Sequence, residues 1–393
     1  MKLAFVCTEK LPSPAIRGGA IQIMIDGISP YLSSNNDLSI FSITDPQLPD
    51  HEIRDNVHYL RFPRKNYSDL VKSELARHEF DLVHVFNRPV YLSQYKAASP
   101  KSHFVLSLHN EMFSPNKISS QMGHAAIGSV DKIMTVSRYI SETVVSRFPE
   151  AESKLEIVYS GIDLGLFHPS WTIEGKKIRD TLRHKCHLED KKVILFVGRL
   201  NPAKGPHLLI KAMKQIIEDY PNAVLVIAGG KWFSDNGMNQ YVHYLRKLAK
   251  PLGNHVFFMG YVPSQHIPDL FAMADLFVCS SQWQEPLARV QYEAMAAGIP
   301  IITTNRGGNS EVVTHKQNGL VLNNYQSSGA FADAIDFLFS NGYAAKMMAH
   351  NGRKQAASLH QFSQVAKRLE SVYLRACQTH EESSTNFQAE NLF

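Results

Sequence analysis

No Cys-x-x-Cys spacing occurs in this sequence, and its four cysteines (Cys7, Cys186, Cys279, Cys377) stand far apart. That argues against a cysteine-based zinc site and against a disulfide framework, and the expectation is a reduced, intracellular protein. His184, Cys186 and His187 cluster, but they lack a second ligand pair and read as surface residues rather than zinc ligands. No apolar run approaches the roughly eighteen residues that a membrane span needs. The opening stretch "MKLAFVCTEKLP" has one lysine and five apolar residues before Thr8, too short for a secretory signal. The expected location is cytoplasmic, with peripheral attachment to a membrane or coat left open. Lys and Arg total 41 against 36 Asp and Glu, a net charge of +5. This lacks the basic density of a nucleic-acid binder, so no nucleic-acid partner is expected, although a local patch for a phosphorylated ligand remains compatible. Neither a Gly-x-Gly-x-x-Gly fingerprint nor a phosphate-loop lysine motif is present.

What is present is a two-part α/β pattern. A chain of 393 residues, 44% of them hydrophobic, is long for one domain and comfortable for two. Short apolar runs at 2–8, 38–43, 57–62, 81–86, 103–109 and 132–137 read as strands, with amphipathic helical stretches between them. Regularity stops near "VYSGIDLGLFHPS" (158–170), and the polar stretch that follows reads as a linker with a short helix. The pattern then restarts, with strand-like runs at 192–198, 223–230, 256–260, 276–280, 300–304 and 319–322. Such alternation predicts α/β architecture: two doubly wound, Rossmann-like domains facing one another across a cleft, with ligands at the carboxyl ends of the strands. The expected division is 1–165, a linker over 166–190, a second domain over 191–360, a helix over 361–378 packing back toward the first domain, and a mobile tail over 379–393.

The stretch "QEPLARVQYEAMAAGIP" (284–300) holds two carboxylates seven residues apart, Glu285 and Glu293. Pro286 biases Glu285 away from helical geometry and itself suits the first helical position, while Gly298 and Pro300 end the helix. The amides of Leu287, Ala288 and Arg289 are then expected among the unpaired donors of the first turn, an anion site reinforced by the helix dipole. Eight residues at about 1.5 Å each place Glu293 roughly 12 Å below Glu285. That span suits a nucleotide-sugar, with one carboxylate for the hydroxyls at each end and helix amides near the diphosphate. The competing reading is plainer: one glutamate favoured by the dipole and one on the solvent face of an amphipathic helix.

Glu, seven residues, Glu, then Ala-Met-Ala-x-Gly-x-Pro resembles the signature of retaining glycosyltransferases of family four. The resemblance covers almost the whole chain. It includes "RGGA" (17–20), "GIDLGLFHP" (161–169), "VGRLNPAKGPHLLIKA" (197–212), "FMGYVPSQHIPDLFAMADLFVCSS" (258–281) and "RGGNSEVV" (306–313). With "EKLP", "RGGAIQI", "FNRP", "LHNEMF" and "SSQWQEPLARVQYEAMAAG", the sequence is also similar to the spore coat glycosyltransferase-like proteins of bacilli.

The resemblance implies two facing domains of GT-B type and transfer of a sugar, with retention, from a nucleotide-diphospho-sugar to an unidentified glycan, lipid-linked or small-molecule acceptor. Arg199 and Lys204, beyond the run "KVILFVG", become the cations that grip the donor diphosphate. Glu285 is expected to hold the donor sugar and Glu293 the ribose. Gly18 and Gly19 let the backbone approach the phosphates, and a plain turn is the alternative there. His109 helps orient the reacting sugar or serves as a structural hydrogen-bonding group; for His84, packing or an acceptor contact is favoured over chemistry. The backbone at Tyr261 and Val262 is expected at the nucleobase edge, and Trp232 and Phe233 either wall the base or pack between domains. With no Asp-x-Asp, a metal-independent enzyme without cofactor is expected.

The sequence also departs from the family pattern. Pro286, Leu287 and Ala288 replace small glycines, and Arg289 replaces a usually apolar residue, free to pair with Glu285 or with an acidic sugar such as a uronic acid. Two further readings stand beside the transferase: a coat or scaffold protein with weak or lost catalysis, and a nucleotide-sugar epimerase on the same fold.

Overall fold

The computed structural model describes residues 1–231 and 237–389, with side chains in the last helix described through residue 378. The chain forms two compact units, Met1–Gly161 with Phe362–Phe393, and Ile162–Gln361. The stretch read from the sequence as a linker carries the helix Ile173–Lys185, which belongs to the second unit.

The first unit is built on an eight-stranded sheet: β1 (Lys2–Val6), β2 (Asp37–Ile43), β3 (His51–Arg54), β4 (Val57–Phe62), β5 (Leu82–Phe86), β6 (His103–Leu108), β7 (Lys132–Thr135) and β8 (Leu155–Ile157). The order is β3-β4-β2-β1-β5-β6-β7-β8, parallel except for the β3–β4 hairpin. The hairpin turns at Asp55 and Asn56, both at positive φ (53° and 60°), which suits the tight two-residue turns that follow strand twist. Strand direction of growth reverses between β1 and β5. The central strands are buried on both faces, so they read as continuous apolar runs.

The final helix, Phe362–Ala389, runs past the expected end at 378. It returns to the first unit and buries Val365, Leu369, Val372, Tyr373 and Ala376 in that unit's core. Phe362 packs against Gly27 so closely that a Cβ there would lie 2.4 Å from its ring.

The second unit holds a six-stranded parallel sheet: β9 (Lys192–Val197), β10 (Ala223–Ala228), β11 (Val256–Gly260), β12 (Leu276–Cys279), β13 (Ile301–Thr304) and β14 (Leu320–Leu322). Its order, β11-β10-β9-β12-β13-β14, is the Rossmann order, with the switch point between β9 and β12. The helix Pro206–Asp219 covers one face with Leu209, Ala212, Met213 and Ile216, the i, i+3, i+4, i+7 stripe of an amphipathic helix.

Candidate active site

Two loops meet at the switch point of the second sheet. The first leaves β9, passes Arg199, and makes a short turn, Pro202–Lys204, whose start is capped by Asn201 Oδ1 accepting from the Lys204 amide (3.1 Å). The second leaves β12 and carries Ser280 to Glu285. The loops are stitched together: Ser280 Oγ donates to the Lys204 carbonyl (2.8 Å) and the Gln282 amide to the Ala203 carbonyl (2.7 Å). Gly205 permits this approach, because it sits at φ 69° and a Cβ would lie 2.2 Å from the Ser280 carbonyl oxygen.

The stitching delivers Lys204 to Glu285. Lys204 Nζ lies 2.5 Å from Glu285 Oε2, and the same oxygen accepts from Ser281 Oγ (2.8 Å) and the Trp283 indole N–H (2.7 Å). Glu285 is 6% exposed, so its carboxylate is almost fully withdrawn from water and its partners replace solvent. The loop after β13 fixes its backbone. Gly308 N–H donates to the Glu285 carbonyl (2.8 Å), and Gly307, at φ 57°, leaves no room for a Cβ beside that residue (2.1 Å). Arg199 is half-buried two residues beyond β9, on the loop that carries Lys204.

The helix expected from Pro286 begins three residues later, at Arg289, and runs to Ala297 with Gly298 as its left-handed terminator. Leu287 and Ala288 therefore precede the helix, and the Ala288 amide is not an open donor: it donates to Asn309 Oδ1 (3.3 Å), which also accepts from Gln291 Nε2 (2.6 Å). Of the two glutamates only Glu293 lies on the helix, so the 12 Å helical rise does not describe their separation. Arg289 pairs with Glu293, one turn on (3.5 Å), whereas the ion-pair partner of Glu285 is Lys204. Burial raises the Glu293 carboxyl above its ordinary range and lowers the Arg289 guanidinium, and their mutual attraction opposes both shifts.

The remaining candidates lie elsewhere. Tyr261 and Val262 are half-buried just after β11, at the edge of the sheet and separated from β9 by β10. Gly18 (φ 73°), Gly19 (φ 103°) and His109 belong to the first unit, after β1 and β6 on either side of that sheet's own switch point. The His109 amide donates to Asn87 Oδ1 (3.0 Å) and its ring stacks near Phe86. Its Nε2 is buried without a hydrogen-bond partner, and burial pulls the imidazole down to about 4. His84 is a packing residue: it stacks on Phe86 and bonds Tyr373 Oη (2.7 Å) and Ser107 Oγ. Trp232 and Phe233 lie outside the described residues. Among the described residues, no helix is long and apolar enough to cross a membrane.

Ser281, Trp283 and Asn309 were not singled out by sequence. "SSQWQEP" and "RGGN" both stood in recognised motifs, but nothing local marks their side chains as partners of Glu285 and Ala288.

Two family models match the chain: "Glycosyltransferase Family 4" over residues 28–166 and "Glycosyl transferases group 1" over 178–355. A putative glycosyltransferase of Bacillus subtilis (strain 168), YtcC, is 57% identical over 95% of this chain and 92% of its own. The chain belongs to glycosyltransferase family 4. Spore coat protein SA of the same organism is 47% identical, covering 95% of this family-4 chain and 99% of its own. Among solved structures, Anabaena Alr3699/HepE in complex with UDP-glucose aligns with TM-score 0.74 at 22% identity, over 94% of this chain and 98% of that one. WaaG, a glycosyltransferase involved in lipopolysaccharide biosynthesis, aligns with TM-score 0.68 at 18% identity, over 94% and 99%. At those identities the likeness carries the fold, which is of GT-B type. The protein is thus a glycosyltransferase with two Rossmann-like units, related to spore coat protein SA.

Proposed function

We propose that this family-4 glycosyltransferase moves a hexosyl group from a nucleotide-diphospho-sugar to an acceptor hydroxyl with retention at the anomeric carbon. The observation that carries this reading is the meeting of Lys204 with the buried Glu285 at the switch point between β9 and β12, where Rossmann sheets bind ligands. A carboxylate suits sugar hydroxyls, and an ammonium beside it suits a diphosphate. In this reading Lys204 and Arg199 hold the diphosphate and stabilise its charge as the bond to the sugar breaks. Glu285 orients the donor sugar, Glu293 the ribose, and the backbone at Tyr261 and Val262 the base. Within the first unit, Gly18 and Gly19 are proposed as phosphate contacts and His109 as a contact to the sugar. With its pKa pulled to about 4, His109 acts at neutral pH as an uncharged hydrogen-bonding group.

The acceptor oxygen attacks from the face the phosphate leaves, and the departing phosphate oxygen takes the acceptor proton. No side chain becomes covalently attached. Positive side chains supply the charge stabilisation, so activity is proposed to persist without divalent metal. The acceptor is a glycan, lipid-linked or small-molecule hydroxyl, and the place of action cytoplasmic or peripheral to a membrane or coat.

The test is a panel of nucleotide-sugars with and without acceptors, in buffer with and without EDTA. Donor hydrolysis or transfer that falls about 100-fold in Arg199→Ala supports the transferase. Binding without turnover points to a coat protein with lost catalysis, and isomerised sugar to an epimerase.

A further inference from the structure

We propose that Trp283 positions the reacting sugar and sets specificity for it. Its indole N–H locks the Glu285 carboxylate, and its exposed ring forms an apolar wall for a pyranose. The proposal rests on the donor-site reading of Glu285. Three donors converge on one oxygen, Oε2, from Lys204, Ser281 and Trp283. Turning the carboxylate breaks all three bonds, so Oε1 is held in one direction to accept from sugar hydroxyls. Lys204 also lies over the indole, 5.7 Å from its centroid, so the ammonium, the carboxylate and the ring form one cluster.

Ser281 is buried and Lys204 half-buried around Glu285, whereas Trp283 is 37% exposed beside it. A pyranose presents a rim of hydroxyls and a face of C–H groups. A carboxylate fixed against an aromatic plane matches both, in the manner of ligand sites lined by aromatics with a few placed polar groups. Neither contact involves the nucleotide, so Trp283 discriminates between donor sugars and leaves nucleoside diphosphate binding alone.

The experiment compares wild type, Trp283→Phe and Trp283→Ala, using the nucleotide-sugar that the panel identifies and the matching nucleoside diphosphate. Trp283→Phe keeps a ring and loses the N–H. It is expected to lower kcat/KM about 10- to 100-fold, the effect of one hydrogen bond to a charged group, with the Kd of the nucleoside diphosphate unchanged. Trp283→Ala loses the wall as well and is expected to weaken nucleotide-sugar binding further, again sparing the nucleoside diphosphate. The change in tryptophan emission on adding the nucleotide-sugar is expected to be smaller in Trp283→Phe than in wild type, with Trp171 and Trp232 as the remaining emitters. Variants that match an active wild type, or that lose both ligands equally together with thermal stability, overturn this proposal alone. A wild type that neither binds nor turns over any nucleotide-sugar overturns the donor-site reading and this proposal with it.

Discussion

Removing the Glu285 carboxylate is expected to destabilise the second unit even with no substrate present. The Lys204 and Glu285 side chains are 19% and 8% exposed, so the carboxylate has almost no water to fall back on and the ammonium little. Glu285→Ala strands the ammonium and leaves Ser281 Oγ and the Trp283 indole N–H without their acceptor. Breaking a largely buried pair from one side costs about 3–5 kcal/mol. That is a large share of a folding stability of about 5–15 kcal/mol. Glu285→Gln keeps an acceptor for Ser281 and Trp283 and loses only the charge, so a smaller loss is expected. Lys204→Met alone leaves the carboxylate buried without its cation. In the double variant Lys204→Met/Glu285→Gln no buried charge remains, and the loss is expected to fall well short of the sum of the single losses. Urea unfolding at pH 7, followed by far-ultraviolet circular dichroism, supplies the four midpoints of the cycle. A Glu285→Ala midpoint equal to wild type, or a coupling below about 0.5 kcal/mol, would refute the claim that this pair is a mutually dependent buried unit.

Gly205→Ala places a Cβ 2.2 Å from the Ser280 carbonyl at φ 69°, so a loss of at least about 1–2 kcal/mol is expected in thermal unfolding. Donor kcat/KM should fall with it as the two loops separate. Asp26, half-buried behind the Gly18–Gly19 loop, accepts from the Ala15 amide, and burial raises its carboxyl to about 6 from 3.8. A raised carboxyl stabilises the fold below the unfolded value and loses that contribution as pH rises through about 6. Asp26→Asn should therefore melt higher than wild type at pH 8, by up to about 3 kcal/mol of stability, with the difference gone at pH 4. Arg289→Leu leaves Glu293 buried without its counter-charge, so its carboxyl rises further. Melting should show the largest deficit at pH 8 and the smallest at pH 5. If the Glu293 pair is the function of Arg289, donor KM rises equally for neutral and uronic-acid donors; a selective loss of uronic-acid donors would restore the acidic-sugar reading.

The main strands were legible because both of their faces are buried, which makes them unbroken apolar runs such as "LVHVF" and "AVLVIA". β3 escaped notice because "HEIR" is mostly exposed and short, and its only sequence mark is the Asp55-Asn56 turn. The start of the helix Arg289–Ala297 was misplaced for a different reason. Pro286 is a sound local signal, but Asn309 holds the Ala288 amide and Gly308 the Glu285 carbonyl, and together they keep the segment out of the helix. Those partners lie on another loop, beyond the reach of a local rule. The final helix was underestimated because its last turns are polar, and a core-facing stripe is what marks a helix in sequence.

The sequence by itself determined the buried central strands of both units, that strands and helices alternate in two runs, and that Arg199, Lys204 and Glu285 stand just beyond strand ends. These are matters of periodicity and of nearby residues, which a chain encodes locally. Only the tertiary structure decided that Lys204 meets a glutamate 81 positions away, that Trp283 and Ser281 share the same oxygen, and that Arg289 answers Glu293. Strand order is the physical reason. β9 pairs directly with β12, and the loops leaving them converge only once that sheet has formed.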